Sequence, residues 1–376
     1  MDNVTHTLFA LTLARTPLAR AGRGTTAALV LASNAPDIDI VALTRGSTEY
    51  LRWHRGLTHG PIGVVGLGLI TAAIVWVARA LNDRRRADRG HSSTAATDAS
   101  FVMLVAVSII GAVLHVLMDL PTSYGTRLLS PFNWHWFVID VMPILDVYLL
   151  AVLATGLLFG LRSPAARHRN AIIVILLMAA NYGLRATTHE RALAVAPRLF
   201  GPTWPPRCGP QTRSAHLLDS WPQPSAASAG TSSGTRCLVD VAAMPTFASP
   251  FVWRIIAQMS NAYELRDVNL LDRLFQPPGH EPDVPWRLTV HYPNLWTPTV
   301  EQAATTRLGQ IFLGFSRFPA ARSVVDARGV TTVRWTDVRF VVGMPTLDQP
   351  KPGPDIFTAT VRIGADGRVL QETLGR

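Results

Sequence analysis

Long apolar runs separated by short polar stretches dominate the first half of the chain. The pattern predicts helices over residues 4–18, 25–44, 61–81, 101–120, 137–161 and 170–184. A helix needs about 20 mostly apolar residues to cross a bilayer, so 61–81, 101–120 and 137–161 are the strongest predicted spans. The first and last runs are short, and Pro36 should kink or end the second.

The second half of the chain has a different pattern. Residues 191–236 are rich in Pro, Ser, Gly and Thr and are predicted to form a linker or long loop. Residues 237–376 contain alternating runs that predict strands at 251–259, 264–271, 287–291, 332–342, 357–363 and 369–372, with a helix at 301–315. The predicted fold is a multi-pass α-helical membrane domain over 1–190, followed by a β-rich (α+β) extramembrane domain.

Composition agrees with a membrane protein. The chain of 376 residues is 48% hydrophobic and only 16% charged, whereas soluble domains are about a quarter charged. The formal charge is +10, but the arginines are scattered or stand at the ends of apolar runs. This distribution fits anionic lipid head groups and argues against a nucleic-acid partner.

The arginine-rich loops also orient the helices. These loops cover residues 19–24, 82–99 and 162–169, and the positive-inside rule assigns them to the cytoplasm. The polar groups discussed next, and the C-terminal domain, are then expected on the extracytoplasmic side. There Cys208 and Cys237 could form a disulfide, but two unpaired thiols fit the sequence equally well.

Histidines and aspartates occur in or beside the apolar runs at four places. Burying such groups without partners costs several kcal/mol, so a shared metal ion is the simplest explanation. Imidazole and carboxylate ligands suit zinc most, with iron or manganese as alternatives, and seven groups are enough for two or more ions. The candidate ligands are His6, Asp37, Asp39, His54, His59, His115 and Asp119.

Each of these signals is weak alone. His115 and Asp119 are four residues apart on a predicted helix and therefore share a face, but buried His/Asp pairs are common without a metal. Asp37 and Asp39 could equally cap a following turn, and His54 and His59 flank a glycine in a predicted loop. It is the combination of all seven on one side of the membrane that predicts a site.

Clustered metal ions typically hydrolyse phosphoesters through a metal-bound hydroxide. The sequence predicts Asp39, Arg55 and Asp119 as catalytic residues, because Arg55 can contact a phosphate with two N–H groups. Arg55 could instead be a lipid-facing arginine. The predicted substrate-binding residues are Arg55, Thr122, Ser123, Tyr124 and Thr126, although the last four could merely form a turn. Asp140 and Asp146 are candidates for residues that contact the metal ligands without binding the metal themselves.

Together these motifs resemble the YdjM/YbcI-like family. The resemblance rests on Val4–Thr7, Pro36–Asp39, His54–His59 and His115-x3-Asp119 with Thr122–Thr126, and it covers roughly the first 185 residues. Members are bacterial inner-membrane proteins described as metal-dependent hydrolases. The resemblance therefore implies a metal site and an inner-membrane location.

A more distant similarity is to zinc-dependent phospholipase C. The order Asp, His, then His-x3-Asp is similar to the zinc ligands of that all-helical fold. This chain has no N-terminal tryptophan ligand, and His189 and Glu190 are adjacent rather than four apart. The similarity implies a phosphoester substrate.

The sequence favours a membrane-embedded metal-dependent hydrolase acting on an ester or phosphoester of a lipid or lipid-linked substrate. A metal-stabilised scaffold that binds a partner protein is the main alternative. A transporter is less consistent, because the polar groups gather at one face instead of lining a path. The substrate and the oligomeric state are left open.

Overall fold

The computed structural model describes residues 1–89, 97–159, 164–197, 206–208, 237–271, 290–341 and 357–375. The chain divides into two compact units. The first comprises Met1–Ile40 and Arg55–Ala186, and the second comprises Val41–His54 and Thr187–Arg376. Each unit is described separately.

The first unit is helical. Its helices are α1 (Asn3–Leu13), α2 (Thr25–Ala32), α4 (Pro61–Asp88), α5 (Phe101–Asp119), α6 (Val147–Phe159) and α7 (Pro164–Val195), whose last turns belong to the second unit; α3 (Ser47–Trp53) also lies in the second unit. A 3₁₀ helix, Ala35–Arg45, follows α2 at a bend of 44°.

Three described helices are long and apolar enough to cross a membrane. They are α4, α5 and the part of α7 from Ala166 to Val195. The span predicted at 137–161 is not among them, because α6 as described is a shorter apolar helix. If α2 and the bent 3₁₀ helix act as one broken span, the described part of the chain contains four. This bend begins beside Pro36, where the sequence predicts a kink.

Local sequence explains where the helices begin. Asp2 caps α1 by accepting from the Thr5 backbone N–H at 3.0 Å, and Ser100 caps α5 by accepting from Met103 at 3.2 Å. Pro61 occupies the first turn of α4, where its missing N–H costs nothing. Helices α4 and α5 approach closely at Gly68, where a Cβ would lie 2.7 Å from Ile109 Cγ1.

The predicted helix boundaries were wrong in several places. Helix α1 ends at Leu13 instead of 18, and α2 ends at Ala32 instead of 44. Helix α4 continues to Asp88, through the start of the predicted polar loop. Helix α6 begins at Val147 instead of 137, because Val141 and Met142 donate their N–H groups to the Pro121 carbonyl and Thr126 pairs with Phe137. Helix α7 extends well beyond 170–184, because its polar ends remain helical.

The second unit contains two four-stranded antiparallel sheets. The first has the order β1-β2-β3-β4 and the second β5-β6-β7-β8. The strands are β1 (Leu238–Pro245), β2 (Val252–Met259), β3 (Ala262–Asn269), β4 (Val290–Pro293), β5 (Pro319–Val325), β6 (Thr331–Asp337), β7 (Thr358–Ile363) and β8 (Val369–Leu374). The predicted fold class is thus confirmed.

Details of this unit differ from the prediction. Strands β1 and β5 were not predicted from the sequence, and the predicted helix 301–315 is two helices, α8 (Pro298–Ala304) and α9 (Arg307–Phe315). The break occurs because Thr306 caps α9, accepting from the Gly309 N–H at 3.1 Å. Cys208 and Cys237 form a disulfide. Most of the predicted linker, 191–236, lies outside the described residues.

Candidate metal centre

Four predicted ligands converge in the first unit. One ligand atom from each of Asp37, His59, His115 and Asp119 lies within 4.8 Å of the other three. The side chains of the two histidines and Asp119 are fully buried, whereas that of Asp37 is 21% exposed. The group is therefore enclosed except on the side of Asp37.

Three structural elements bring these four residues together. Asp37 lies in the 3₁₀ helix that follows α2, and His59 is in the loop that immediately precedes α4. His115 and Asp119 are one turn apart in the last part of α5. The apolar packing of α2, α4 and α5 thus positions the polar group at one end of these helices.

The distances between the ligand atoms suit a single small cation. His115 Nε2 is 3.5 Å from both Asp37 Oδ1 and Asp119 Oδ2. His59 Nε2 is 3.8 Å from Asp37 Oδ1 and 3.5 Å from Asp119 Oδ2. Tetrahedral ligands of zinc, with bonds of about 2.0–2.1 Å, are about 3.3–3.4 Å from one another.

The hydrogen bonding of the His115 ring also fits a bound metal ion. Its Nδ1 is 2.7 Å from the Ser33 carbonyl oxygen, which can only accept a hydrogen bond. In a neutral ring, Nε2 is then unprotonated, and this buried atom makes no hydrogen bond. Its lone pair faces two carboxylate oxygens, an arrangement that a bound cation stabilises. The residues present therefore fit a metal ion.

Two predicted ligands, His6 and Asp39, lie beside this group. His6 stacks on His115 with ring centroids 3.9 Å apart, and its Nε2 is 3.3 Å from Asp119 Oδ1. The Met1 amino group contacts the same oxygen. Asp39 accepts the backbone N–H of Arg55 at 2.7 Å, so it holds the loop that carries Arg55.

His54 is placed differently. It follows α3, and its Nε2 is 3.5 Å from the Tyr50 hydroxyl, one turn earlier. It is outside the group of four whose atoms converge. The spacing of His54 and His59 alone could not reveal this, because it does not fix the direction in which a loop side chain points.

Arg55 places a cation beside the group. Its backbone φ is 49°, and Nη2 is 3.0 Å from Asp119 Oδ2. Nη1 donates to the Gly125 carbonyl at 3.1 Å and to Thr122 Oγ1 at 3.4 Å, and the guanidinium lies 4.8 Å from the centre of the Tyr124 ring. The predicted substrate-binding segment thus packs against Arg55.

The other members of that segment have structural contacts. Thr122 also donates through Oγ1 to the Asp119 carbonyl at 2.7 Å, and Thr126 pairs through its backbone with Phe137. Ser123 lies between them in the same turn-rich segment. Thr122 and Thr126 are fully buried.

Sequence reasoning missed Arg127. Its backbone N–H donates to the Arg55 carbonyl at 3.1 Å, and its buried guanidinium lies 4.6 Å from the centre of the Trp136 ring. Burial lowers the pKa of Arg127 to about 9. The available signal was the pair of tryptophans, Trp134 and Trp136, that follows this arginine closely in the sequence.

Asp140 and Asp146, the two acidic candidates that precede α6, lie outside the group of converging ligands. Asp146 caps α6 through the Leu149 N–H at 2.8 Å and forms a buried ion pair with Arg185 of α7 at 2.5 Å. Asp140 is buried with a φ of 61°.

The first 192 residues match the sequence profile of the family described as YdjM inner membrane protein. The chain belongs to the YdjM family. The profile covers the group of four converging residues and nearly all of the candidate membrane spans, which agrees with a location in the membrane.

One curated relative and the solved structures complete the comparison. The chain is 25% identical over 151 residues to an uncharacterized protein, YfhP, of Bacillus subtilis (strain 168). The match covers 40% of this chain and 41% of that relative. No solved structure matches. The similarity to zinc-dependent phospholipase C therefore stays a prediction.

Proposed function

We propose that this YdjM family member is a membrane-embedded, metal-dependent hydrolase of a phosphoester carried by a lipid or lipid-linked molecule. The observation that carries the proposal is the position of Arg55. Its guanidinium contacts Asp119, one of the four residues whose ligand atoms converge. A cation next to a metal centre is a common arrangement for binding a phosphate.

Four residues would hold the ion: Asp37, His59, His115 and Asp119. A divalent metal there, most suitably zinc, activates water and stabilises negative charge on a reacting phosphoester. A second ion would need ligands beyond these four, for which His6 and Asp39 are the nearest candidates. Asp37 is the most exposed of the four, so water would reach the centre on its side.

The chain's own side chains would orient the substrate. Arg55 can turn N–H groups from Asp119 to a phosphate oxygen, while the Gly125 carbonyl and the Tyr124 ring keep its guanidinium in place. Thr122 would hold Arg55 and the end of α5 together, because it contacts both. His6 would keep Asp119 in the orientation that its carboxylate needs.

The rim of the centre supports a lipid substrate. Ile38 and Ile40 flank Asp39 and are 53% and 57% exposed, and Leu57 is 43% exposed. Exposed apolar side chains around a polar centre suit a site that opens among lipid chains and head groups. Membrane lipids would thus be both surroundings and substrate.

We also propose that the metal centre and the C-terminal domain face the extracytoplasmic side. The arginine-rich segments 19–24, 82–99 and 162–169 support this orientation through the positive-inside rule. The disulfide between Cys208 and Cys237 supports it independently, since disulfides persist in oxidising compartments.

A metal-stabilised scaffold is the second candidate, and one observation favours it. Four protein ligands can fill a tetrahedral zinc site, whereas a catalytic zinc keeps a position open for water. In that case the metal would hold α5 to the loops that carry Asp37 and His59, and the C-terminal domain would bind a partner.

Hydrolysis assays separate the two candidates. Purified protein in detergent is incubated with bis(p-nitrophenyl) phosphate and with phosphatidylglycerol, with and without a chelator, and with added zinc. The hydrolase predicts turnover that the chelator abolishes and zinc restores. Asp37→Asn should remove it, and Asp88→Asn, at the exposed end of α4, should not.

The scaffold predicts another outcome. The protein would bind zinc in the expected amount and lose thermal stability with the chelator, yet hydrolyse neither probe. Asp37→Asn would then lower thermal stability by the same amount as metal removal. That result would overturn the hydrolase while leaving the metal centre intact.

A further inference from the structure

A separate cleft lies at the other end of α1. It has a volume of about 300 Å³ and is bordered by α1, α2 and α6. Its lining residues are Leu11, Ala14, Arg15, Thr26, Leu157 and Leu158. Four of the six are apolar, and the only charged member is Arg15.

The guanidinium of Arg15 is fixed at this cleft. Nη1 donates to the Leu157 carbonyl at 2.7 Å, and within the described parts of the chain its other N–H groups make no further hydrogen bond. No carboxylate is paired with Arg15 among the residues that the structure describes. Arg167 adds a second positive charge close enough to repel it, and His168 Nδ1 is 3.4 Å from the Arg15 carbonyl oxygen.

An arginine that pairs with no carboxylate of the described residues, at the edge of an apolar cleft, matches one kind of ligand. The apolar wall removes hydrocarbon from water, and the guanidinium attracts and hydrogen-bonds an anion. An uncharged lipid would use the wall and leave the charge of Arg15 uncompensated. An inorganic anion would use the charge and leave the wall empty.

We propose that this cleft binds one anionic phospholipid, with an acyl chain against Leu11 and Leu157 and the phosphate at Arg15. Under the orientation proposed above, this end of α1 faces the cytoplasm. The cytoplasmic leaflet is rich in anionic lipids, and it attracts arginines near the surface.

The proposed lipid site is distinct from the metal centre. His6 and Arg15 stand nine residues apart, which corresponds to about 13 Å along a helix axis. No residue lining the cleft belongs to the converging group of four. The lipid site therefore does not depend on the proposed hydrolysis, and each can fail alone.

Native mass spectrometry of the full chain in detergent tests the proposal. Phosphatidylglycerol and phosphatidylcholine with the same acyl chains are titrated separately. We expect phosphatidylglycerol to bind about tenfold more tightly, because both lipids present a phosphate to Arg15 but only phosphatidylcholine carries a quaternary ammonium, which the positive charges at the cleft repel. Arg15→Gln should abolish this preference, and Arg15→Lys should largely keep it.

Two further variants guard the interpretation. Arg169→Gln removes an exposed arginine of α7 that does not line the cleft, and it should bind like the unchanged protein. Ala14→Leu fills the cleft without altering its charge, and it should weaken both lipids. Ala14→Leu also keeps the test decisive if Arg15→Gln fails to fold.

Three results would overturn the proposal. The two lipids could bind equally, Arg15→Gln could retain the preference, or Ala14→Leu could leave the binding of both lipids unchanged. A fourth result would show that the ligand is a free anion instead of a lipid. If inorganic phosphate raises the thermal stability as much as phosphatidylglycerol does, the cleft is a simple anion site.

Discussion

Thr58 offers a direct test of the candidate metal centre, because it does not itself belong to the group of four converging residues. Its Oγ1 is 3.0 Å from Nδ1 of His59, whose Nε2 faces Asp119. If His59 binds a metal through Nε2, Nδ1 carries the proton and donates to this hydroxyl. Thr58→Val keeps the branched shape of the side chain and removes only the acceptor.

The expected size follows from this contact. Loss of a hydrogen-bond partner behind a metal ligand typically lowers metal affinity about 10–100-fold, or about 1.4–2.7 kcal/mol. Zinc affinity is measured by competition with a chromophoric chelator on purified protein in detergent. The dissociation constant of Thr58→Val should rise within that range, with the zinc stoichiometry unchanged.

Thr155→Val is the matched control. Its Oγ1 donates to the Ala151 carbonyl at 2.6 Å on an exposed part of α6, so it also loses one side-chain hydrogen bond. Zinc affinity in this variant should equal that of the unchanged protein. If Thr58→Val also binds zinc with unchanged affinity, His59 is not oriented as a ligand and the argument from its geometry fails.

Three other substitutions test neighbouring features. Arg55→Lys keeps the charge but loses the planar fork that reaches Asp119 and the Gly125 carbonyl, so phosphoester hydrolysis should fall about tenfold or more while zinc still binds. Gly60→Ala puts a Cβ 1.9 Å from the backbone oxygen of Ser130, so overpacking should lower stability by about 1–3 kcal/mol, measured by thermal unfolding. Replacing both cysteines by serine opens a loop with a sequence separation of 29, which should lower the stability of the C-terminal unit by about 3–4 kcal/mol in denaturant titrations.

The apolar spans were predictable because burial in lipid leaves a direct trace in the sequence. Runs of about 20 apolar residues located α4 and α5, and Ser100 marks the start of α5. The segment between α5 and α6 was not predictable in the same way. It is rich in apolar residues, but backbone hydrogen bonds to the Pro121 carbonyl, rather than a helical repeat, determine its path.

The presence of a ligand group could be predicted from the sequence, but not which of the candidate residues belong to it. Polar residues in apolar surroundings indicated seven ligands, and the structure brings four of them together: Asp37, His59, His115 and Asp119. The sequence could not separate ligands from neighbours. Asp39 supports the backbone of Arg55 instead of joining the group, a distinction that depends on the tertiary packing of the loop.

Strands β1 and β5 were missed for a related reason. In β1 consecutive residues from Ala242 to Met244 are all buried, so the expected alternation of apolar and polar positions is absent. In β5 the small residues at the start of the strand are buried, whereas the valines at its end are exposed, which is the opposite of what their hydrophobicity suggests. Pairing with β2 and β6, rather than periodicity, specifies these strands.

The most direct measurement is the metal content of the purified protein. Elemental mass spectrometry is applied to the unchanged chain and to His115→Ala/Asp119→Ala, after purification in detergent without added chelator. We expect at least one equivalent of a divalent metal, most suitably zinc, which the double variant loses while still inserting into the membrane. Absence of stoichiometric metal from the unchanged protein, even after incubation with zinc, would contradict the account and leave the buried histidines and aspartates as a hydrogen-bonded structural core.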